Sequence, residues 1–320
     1  MLHLTQNCLT HYNRIDGGYM KTNAMIALVC LIAIGALAFS FFASPEQTDD
    51  TLDVKCLNVW ANVPLQQVNE ITDDKSPLPV TTTAYNDLND LISSAGESNE
   101  SVVILDAMTY LEYHDVLSHY AIYALRPKST ALLVDPKHAS IEHINDIKGA
   151  VLGIAGQASD EYIFRAVIDM EGIIGLSLDE IDCTKLLDKV TLLTDSIINY
   201  AIMEAPFDQY VLTRGARRLY RFDNTYDALL VPENFDDDQL RRVNTYIAAI
   251  DGVKTTGNTE KWMQQYFPEL KRFVPDEPMI TAAFDKPDSD IINQMVTYFY
   301  ATNRIDSKYK LSEIVVDGFK

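Results

Sequence analysis

The chain is poor in the residues that most often announce a chemical function. It has four cysteines in 320 residues, with no CxxC pair and no Cys/His group at ligand spacing, which argues against a structural zinc site. Cys8 and Cys30 lie in or before an apolar segment. Cys56 and Cys183 lie beyond it and could pair if that part is exported, although isolated cysteines are more often simply buried. Histidines number six. His114 and His119, like His138 and His143, are five apart, about 140° around a helix, so neither pair shares a face that could hold a metal. Basic residues are also scarce, 26 against 46 acidic, for a net charge of −20. Only Arg14, Asp16 and Lys21 are charged before residue 44, so all of the acidic excess lies downstream. Such a surface repels phosphate backbones and anionic headgroups, and nucleic acid is not expected as a partner. Ser, His and Asp occur without a nucleophile elbow or another catalytic signature, so no catalytic residue, cofactor or metal is expected. The small basic run of Arg214, Arg217, Arg218 and Arg221 reads as solvated charge around helix ends, a docking patch being the alternative.

What is abundant is apolar material, 47% of the chain with 10% aromatic, enough to bury the core of one large or two medium domains. Ala24 to Ala43 is twenty residues without a charge, and at about 1.5 Å per helical residue it matches the roughly 30 Å hydrocarbon layer. Lys21 and Arg14 precede it, and Glu46, Asp49 and Asp50 follow. The positive-inside bias therefore leaves the residues after 44 outside the cytoplasm. Residues 24–43 are read as a transmembrane anchor or signal segment. Phe41 at the −3 position of a cleavage site after Ala43 favours a retained anchor. Residues 1–23 are a cytoplasmic N-terminus or precede a true start at Met20, and the polar 44–52 is a tether.

Beyond the tether, apolar runs alternate with helical patterns. The expected order is a strand at Cys56 to Ala61, a strand at Pro79 to Ala84, a helix at Leu88 to Ser94, a strand at Val102 to Leu105 and a helix at Met108 to Leu117. A second series has strands at Thr130 to Val134, Val151 to Ala155, Asp188 to Leu193 and Tyr200 to Glu204, with helices at Ser159 to Met170 and Asp208 to Arg214. After a strand at Ala228 to Val231 the pattern turns helical: Asp237 to Ile250, Asn258 to Phe267 and Asp288 to Thr302. Two βαβ-like series predict an α/β fold in two lobes with largely parallel sheets.

Three stretches resemble the type II periplasmic binding proteins, in particular the branch serving importers of nitrate, sulfonates, taurine and thiamine-pyrimidine precursors. Ile141 to Gly149 (IEHINDIKG) followed by Val151 to Ile154 is similar to that family's "I…L.DLKGK.VG" passage into a strand, a loop and a helix. Leu229 to Phe235 with Asp236 to Ile250 is similar to the strand and long helix after the second lobe. Ile291 to Tyr300, Asn303 to Ile305 and Leu311 to Val315 are similar to the closing helix, turn and final element. The likeness covers about 250 residues through order and spacing. It departs at Asn62 to Val68, which lacks a Gly-Phe-Phe-like helix start, and at Tyr200-Ala201, where an Asp-Ala pair is usual. The cysteine-rich motif of a related eukaryotic pyrimidine synthase is absent.

The resemblance implies a type II periplasmic-binding-protein fold with a hinge. Lobe 1 would be 53–130 and 223–320, lobe 2 would be 131–222, and crossovers near 120 to 130 and 222 to 230 would join them. It implies an extracytoplasmic, monomeric receptor that passes a small ligand of the sulfonate, nitrate, pyrimidine or amine class to an ABC permease in the membrane. A tethered sensor, and further off an enzyme on the same fold, are the alternatives.

In open sheets ligands sit outside the carboxyl ends of the strands. That rule nominates Trp60 and Asn62, Thr83 and Tyr85, and Asp106 and Thr109 from one lobe, and Gly156, Gln157, Ser159 and Glu204 from the other. Gly156 to Ser159 opens a helix, where free N–H groups and the dipole favour an anion, plain capping by Ser159 being the competing reading. Asp160 and Glu161 in the same turn oppose a fully anionic ligand. Trp60 could stack on a planar or cationic ligand or pack in the core, while Glu204 and Asp106 favour an amine or hydroxylated one.

Overall fold

A computed structural model describes residues 51–316 apart from 72–78, 148, 155–156, 175–177, 184, 257–258, 271–272, 274–281 and 307. The expected anchor at 24–43 and its flanks lie outside the described residues. Among those residues no helix is long and apolar enough to cross a membrane.

Eight strands form one sheet: β1 (Leu52–Leu57), β2 (Val80–Tyr85), β3 (Val102–Asp106), β4 (Tyr120–Val134), β5 (Ala150–Ile154), β6 (Leu178–Asp182), β7 (Tyr200–Glu204) and β8 (Arg217–Pro232), in the order β2-β1-β3-β8-β4-β7-β5-β6. The outer trios are parallel: β1 pairs with β2 and β3, and β5 with β6 and β7. Between them runs an antiparallel ribbon of β4 and β8. At roughly 3.4 Å per residue these two strands, of 15 and 16 residues, are about 50 Å long. The ribbon's one end takes β3 alongside β8 (Val103 opposite Leu230, Asp106 opposite Asp227), and its other end takes β7 alongside β4 (Thr130 opposite Glu204, Val134 opposite Tyr200). The carboxyl ends of β3 and β7 therefore point toward each other at the ribbon's middle. Register shifts at Ile122/Ala124, Lys128/Thr130 and Leu132/Leu133 bend it there. Thr51–Lys320 forms one compact unit.

Helices cover the sheet: α1 (Val63–Ile71), α2 (Leu88–Gly96), α3 (Ala107–Glu112), α4 (Ala158–Glu171), α5 (Leu186–Thr194), α6 (Phe207–Thr213), α7 (Asp237–Thr256), α8 (Thr259–Tyr266), α9 (Ser289–Ala301) and α10 (Leu311–Ile314). On one face Val54, Cys56 and Ile104 pack with Val243, Tyr246 and Trp262, and the same apolar layer continues to Val190, Leu193 and Phe207. On the other, α2, α3 and α9 bury Leu91, Leu111 and Phe299 against β3 and β4. A third cluster places Ile163, Phe164 and Val167 of α4 on Leu152 and Ile202. Gly172 ends α4 with φ of 64°, a left-handed cap that glycine adopts without a Cβ penalty, and the amides of Gly172 and Ile173 satisfy its last carbonyls.

Most expected elements occur where the sequence placed them, with three corrections. The first strand ends at Leu57, because Asn62 Nδ2 donates to the Leu57 carbonyl (2.9 Å) and folds Trp60–Asn62 into a 3₁₀ turn. Asp188 to Leu193 is helical: Leu187, Val190 and Leu193 recur at threes along one inward face, a helical period. The helix expected to Leu117 stops at Glu112. The stretches 130 to 134 and 228 to 231 are the ends of the long ribbon strands, and β6, an acidic edge strand, went unread. Cys56 and Cys183 are both buried and unpaired. The arginine run is engaged within the fold: Arg218 pairs with Asp208 (2.7 Å), Arg217 donates to the Ile141 carbonyl (2.7 Å) and Arg221 to Ser129 Oγ (2.8 Å).

Candidate functional site

The ribbon's middle carries a buried charge network, assembled because β3 and β7 end there from opposite sides. Arg126 is 1% exposed. It donates to Asp227 Oδ2, Asn62 Oδ1 and the Ala61 carbonyl, each at 2.7 Å, with its guanidinium over the Phe284 ring. Two residues on, the Lys128 ammonium lies 3.0 Å from Asp106 Oδ2 and 3.1 Å from Asp227 Oδ1. Burial alone would lower the Lys128 pKa, but Asp106, Asp227 and Glu204 together raise it, so it stays charged. Burial likewise would raise the Asp227 carboxyl, yet Lys128 and Arg126 hold it below its ordinary value. Isolated charges in such a place would be costly; here each has an opposite partner and hydrogen bonds.

Beside this network opens a cleft of about 400 Å³, within the range usual for small-molecule sites. Its lining comes from the carboxyl ends of β1 (Asn58, Val59), β2 (Tyr85, Asn86) and β7 (Met203, Glu204), and from Lys128 and Thr130 on β4. Gln157 and Asp160 at the start of α4, Lys185 and Lys189 at α5, Phe207, and Gln265 to Glu269 at and just after the end of α8 complete it. Lys189 is held by Asp160 Oδ2 and by the Ile202 carbonyl, both at 2.7 Å. Glu204 differs: among the described residues its carboxylate accepts no hydrogen bond and closes no ion pair. Burial, only partly opposed by Lys128, pushes its pKa up to about 7. Directly opposite it in register, the Thr130 hydroxyl is buried without a partner among the described residues.

Of the residues nominated from sequence, the structure brings Tyr85, Gln157 and Glu204 to the cleft wall. Asp106 and Thr109 sit just behind it. Asp106 accepts from the Thr109 amide (2.9 Å) and hydroxyl (3.0 Å), and Thr109 Oγ1 accepts from the Ala158 amide (3.0 Å), which fastens α3 to the start of α4. That amide was one of those reserved for an anion, and the protein itself occupies it. Ser159 is buried and does not line the cleft. Asn62 is taken up by Arg126 and the Leu57 carbonyl, because β1 ends earlier than expected. Thr83 is exposed and does not line the cleft: it shares a side of β2 with Tyr85 but lies two residues, roughly 7 Å, back from the strand's carboxyl end. Gly156 and the Trp60 side chain lie outside the described residues. Lys128, Thr130, Lys189, Asn58 and the 265–269 turn went unread, although Lys128 lies within the crossover that the sequence located.

No protein-family model matches the sequence, and a search of curated proteins finds no match. Solved structures do match. The ligand-binding component of an ABC-type import system from Staphylococcus aureus, with zinc bound, superposes with a TM-score of 0.67 at 10% identity, over 83% of this chain and 96% of that one. The alkanesulfonate-binding protein of Xanthomonas axonopodis pv. citri bound to MOPS gives 0.64 at 11% identity, over 83% and 98%. The periplasmic nitrate-binding protein of Synechocystis PCC 6803 gives 0.64 at 10%, over 83% and 86%. The chain has the fold of ABC-importer binding proteins. Those neighbours are binding proteins, not enzymes, and the likeness at this identity is one of fold.

Proposed function

We propose that the protein is an extracytoplasmic solute receptor that binds a small ligand in the cleft at the ribbon's middle and presents it to an ABC permease. The observation that carries this reading is the origin of the cleft wall: β1 and β2 supply one side, β7, α4 and α5 the other, and the chain passes between the two sets through the two strands of the ribbon. A ligand touching both sides gains its full contacts only when they are close, so binding shifts the population toward the closed form. In this reading 53–130 with 223–320 and 131–222 are the two lobes, the ribbon is the hinge, and residues 24–43 anchor the receptor to the membrane. The ligand class stands among the sulfonate, nitrate, pyrimidine and amine groups.

A thermal-shift screen of the full chain against sulfonates, nitrate, pyrimidines, amines and amino acids tests it. A true ligand at a hundred times its Kd contributes about 2.7 kcal/mol, roughly 5 °C or more for a domain of this size. Absence of any shift across all these classes contradicts a receptor role.

A further inference from the structure

The cleft's ionic groups are not equally available. Lys128 is spent on Asp106 and Asp227, and Lys189 on Asp160 and a backbone carbonyl. Arg126 lies behind the wall, bonded to Asp227, Asn62 and Ala61. Glu204 alone among the inner charged groups has no hydrogen-bond or ion-pair partner among the described residues, and across the strand from it the Thr130 hydroxyl, also unpartnered, is shielded from solvent on a residue 6% exposed. Glu204 is half-buried and the Thr130 hydroxyl fully so, and a carboxylate left without a donor beside an unpartnered hydroxyl at a cavity wall is available to a ligand. The mixed polar and apolar lining includes Tyr85, Met203, Phe207 and Phe267, an aromatic and apolar part of the wall on which a ligand body can pack. The exposed ions of the rim, Lys185 and Glu269, cancel in charge.

We propose, resting on the receptor reading above, that the ligand is a small protonated amine with an apolar body, whose ammonium group is held by the Glu204 carboxylate while the body packs on the aromatic wall. An ammonium brings N–H donors to an acceptor that has none, and the exchange of hydration for a charge-assisted hydrogen bond becomes favourable in a half-buried cleft. An anion would instead meet an unpaired carboxylate, and among the described lining residues the one unspent cation, Lys185, stands at the rim. The charged groups around Glu204 are Lys128, Asp227, Arg126 and Lys189. Each of these is already paired, so the ligand's charge answers to Glu204.

Isothermal titration of the full chain in detergent, with butylamine, phenethylamine and putrescine set against butanesulfonate, nitrate and phenethyl alcohol, tests the assignment. At least one amine is expected to bind at least tenfold tighter than every anion and the neutral alcohol. Glu204→Gln is expected to weaken that amine at least tenfold, and Lys137→Ala, on the exposed surface away from the cleft, to leave it unchanged. Amine affinity should rise from pH 6 to pH 8 as Glu204 loses its proton near 7, and the variant Glu204→Gln should lack this rise. Tightest binding by a sulfonate or nitrate, abolished by Lys185→Ala and untouched by Glu204→Gln, overturns the amine assignment and leaves the receptor reading standing. Failure of all amines overturns it whatever else binds, and failure of every solute in this titration and in the wider screen overturns both.

Discussion

Replacing Glu204 by glutamine should stabilise the protein at pH 8 while weakening its binding. In the folded chain this carboxyl titrates near 7 against an ordinary 4.5, because burial disfavours its charged form more than Lys128 restores it. Between those two values the folded state holds a proton that the unfolded chain has released. Stability from this group is therefore complete below pH 4.5, falls as pH rises through 7, and is absent above. At about 1.4 kcal/mol per pH unit the gap sets a ceiling of roughly 3 kcal/mol. Solvent reaching the cleft reduces it, and about 1–2 kcal/mol is the expected gain. Glutamine keeps the shape without the charge, so the variant should be more stable than the parent at pH 8 by that amount and about equal to it at pH 4.5. Urea unfolding followed by tryptophan fluorescence reads this directly, since the chain's two tryptophans, Trp60 and Trp262, both lie beyond residue 51. A variant less stable than the parent at pH 8, or offset by the same amount at both pH values, would refute the reasoning and make Glu204 a structural residue.

Three further outcomes follow from the same geometry. Lys128→Met should cost about 3–5 kcal/mol in urea unfolding at pH 7, because it leaves Asp106 and Asp227 sharing fewer positive partners in a buried place; a loss below 1 kcal/mol would mean that the network contributes little. Phe207→Ala should cost a similar 3–5 kcal/mol, since Phe207 is fully buried and meets Phe267 edge-on at 5.1 Å; the same denaturation series measures it. With Cys8 and Cys30 replaced by serine, maleimide should label neither remaining cysteine natively and both in urea without reductant, because Cys56 and Cys183 are buried thiols, with Cys56 pushed up to about 12 by burial. A labelling-resistant, reducible pair in urea would contradict this.

The alternation of strands and helices was legible because β2, β3, β7, α2 and α4 have patterns that agree with their burial. Local patterns failed where tertiary contacts decide. Val59-Trp60-Ala61 looks like the continuation of a strand, but the Asn62 amide reaches back to Leu57 and turns the chain. Val190 to Leu193 has strand-forming residues, yet Lys189 must face inward to meet Asp160, which a helix permits. The sheet's continuity through β4 and β8 was visible only as two crossovers, since a ribbon's partners are remote in sequence. For the cleft, strand ends gave Tyr85, Gln157 and Glu204. They could not give Lys128 or Thr130, which lie mid-strand and matter because the register brings Asp227 and Glu204 beside them.

Backbone hydrogen exchange of the full chain with and without a saturating solute tests the central claim most directly. Protection is expected to rise together at 58–59, 85–86, 157–160, 202–204 and 265–269, segments distant in sequence that meet only around the cleft. Binding that protects just one of these strand sets, or a surface elsewhere, would contradict a ligand held between the two sides of the ribbon.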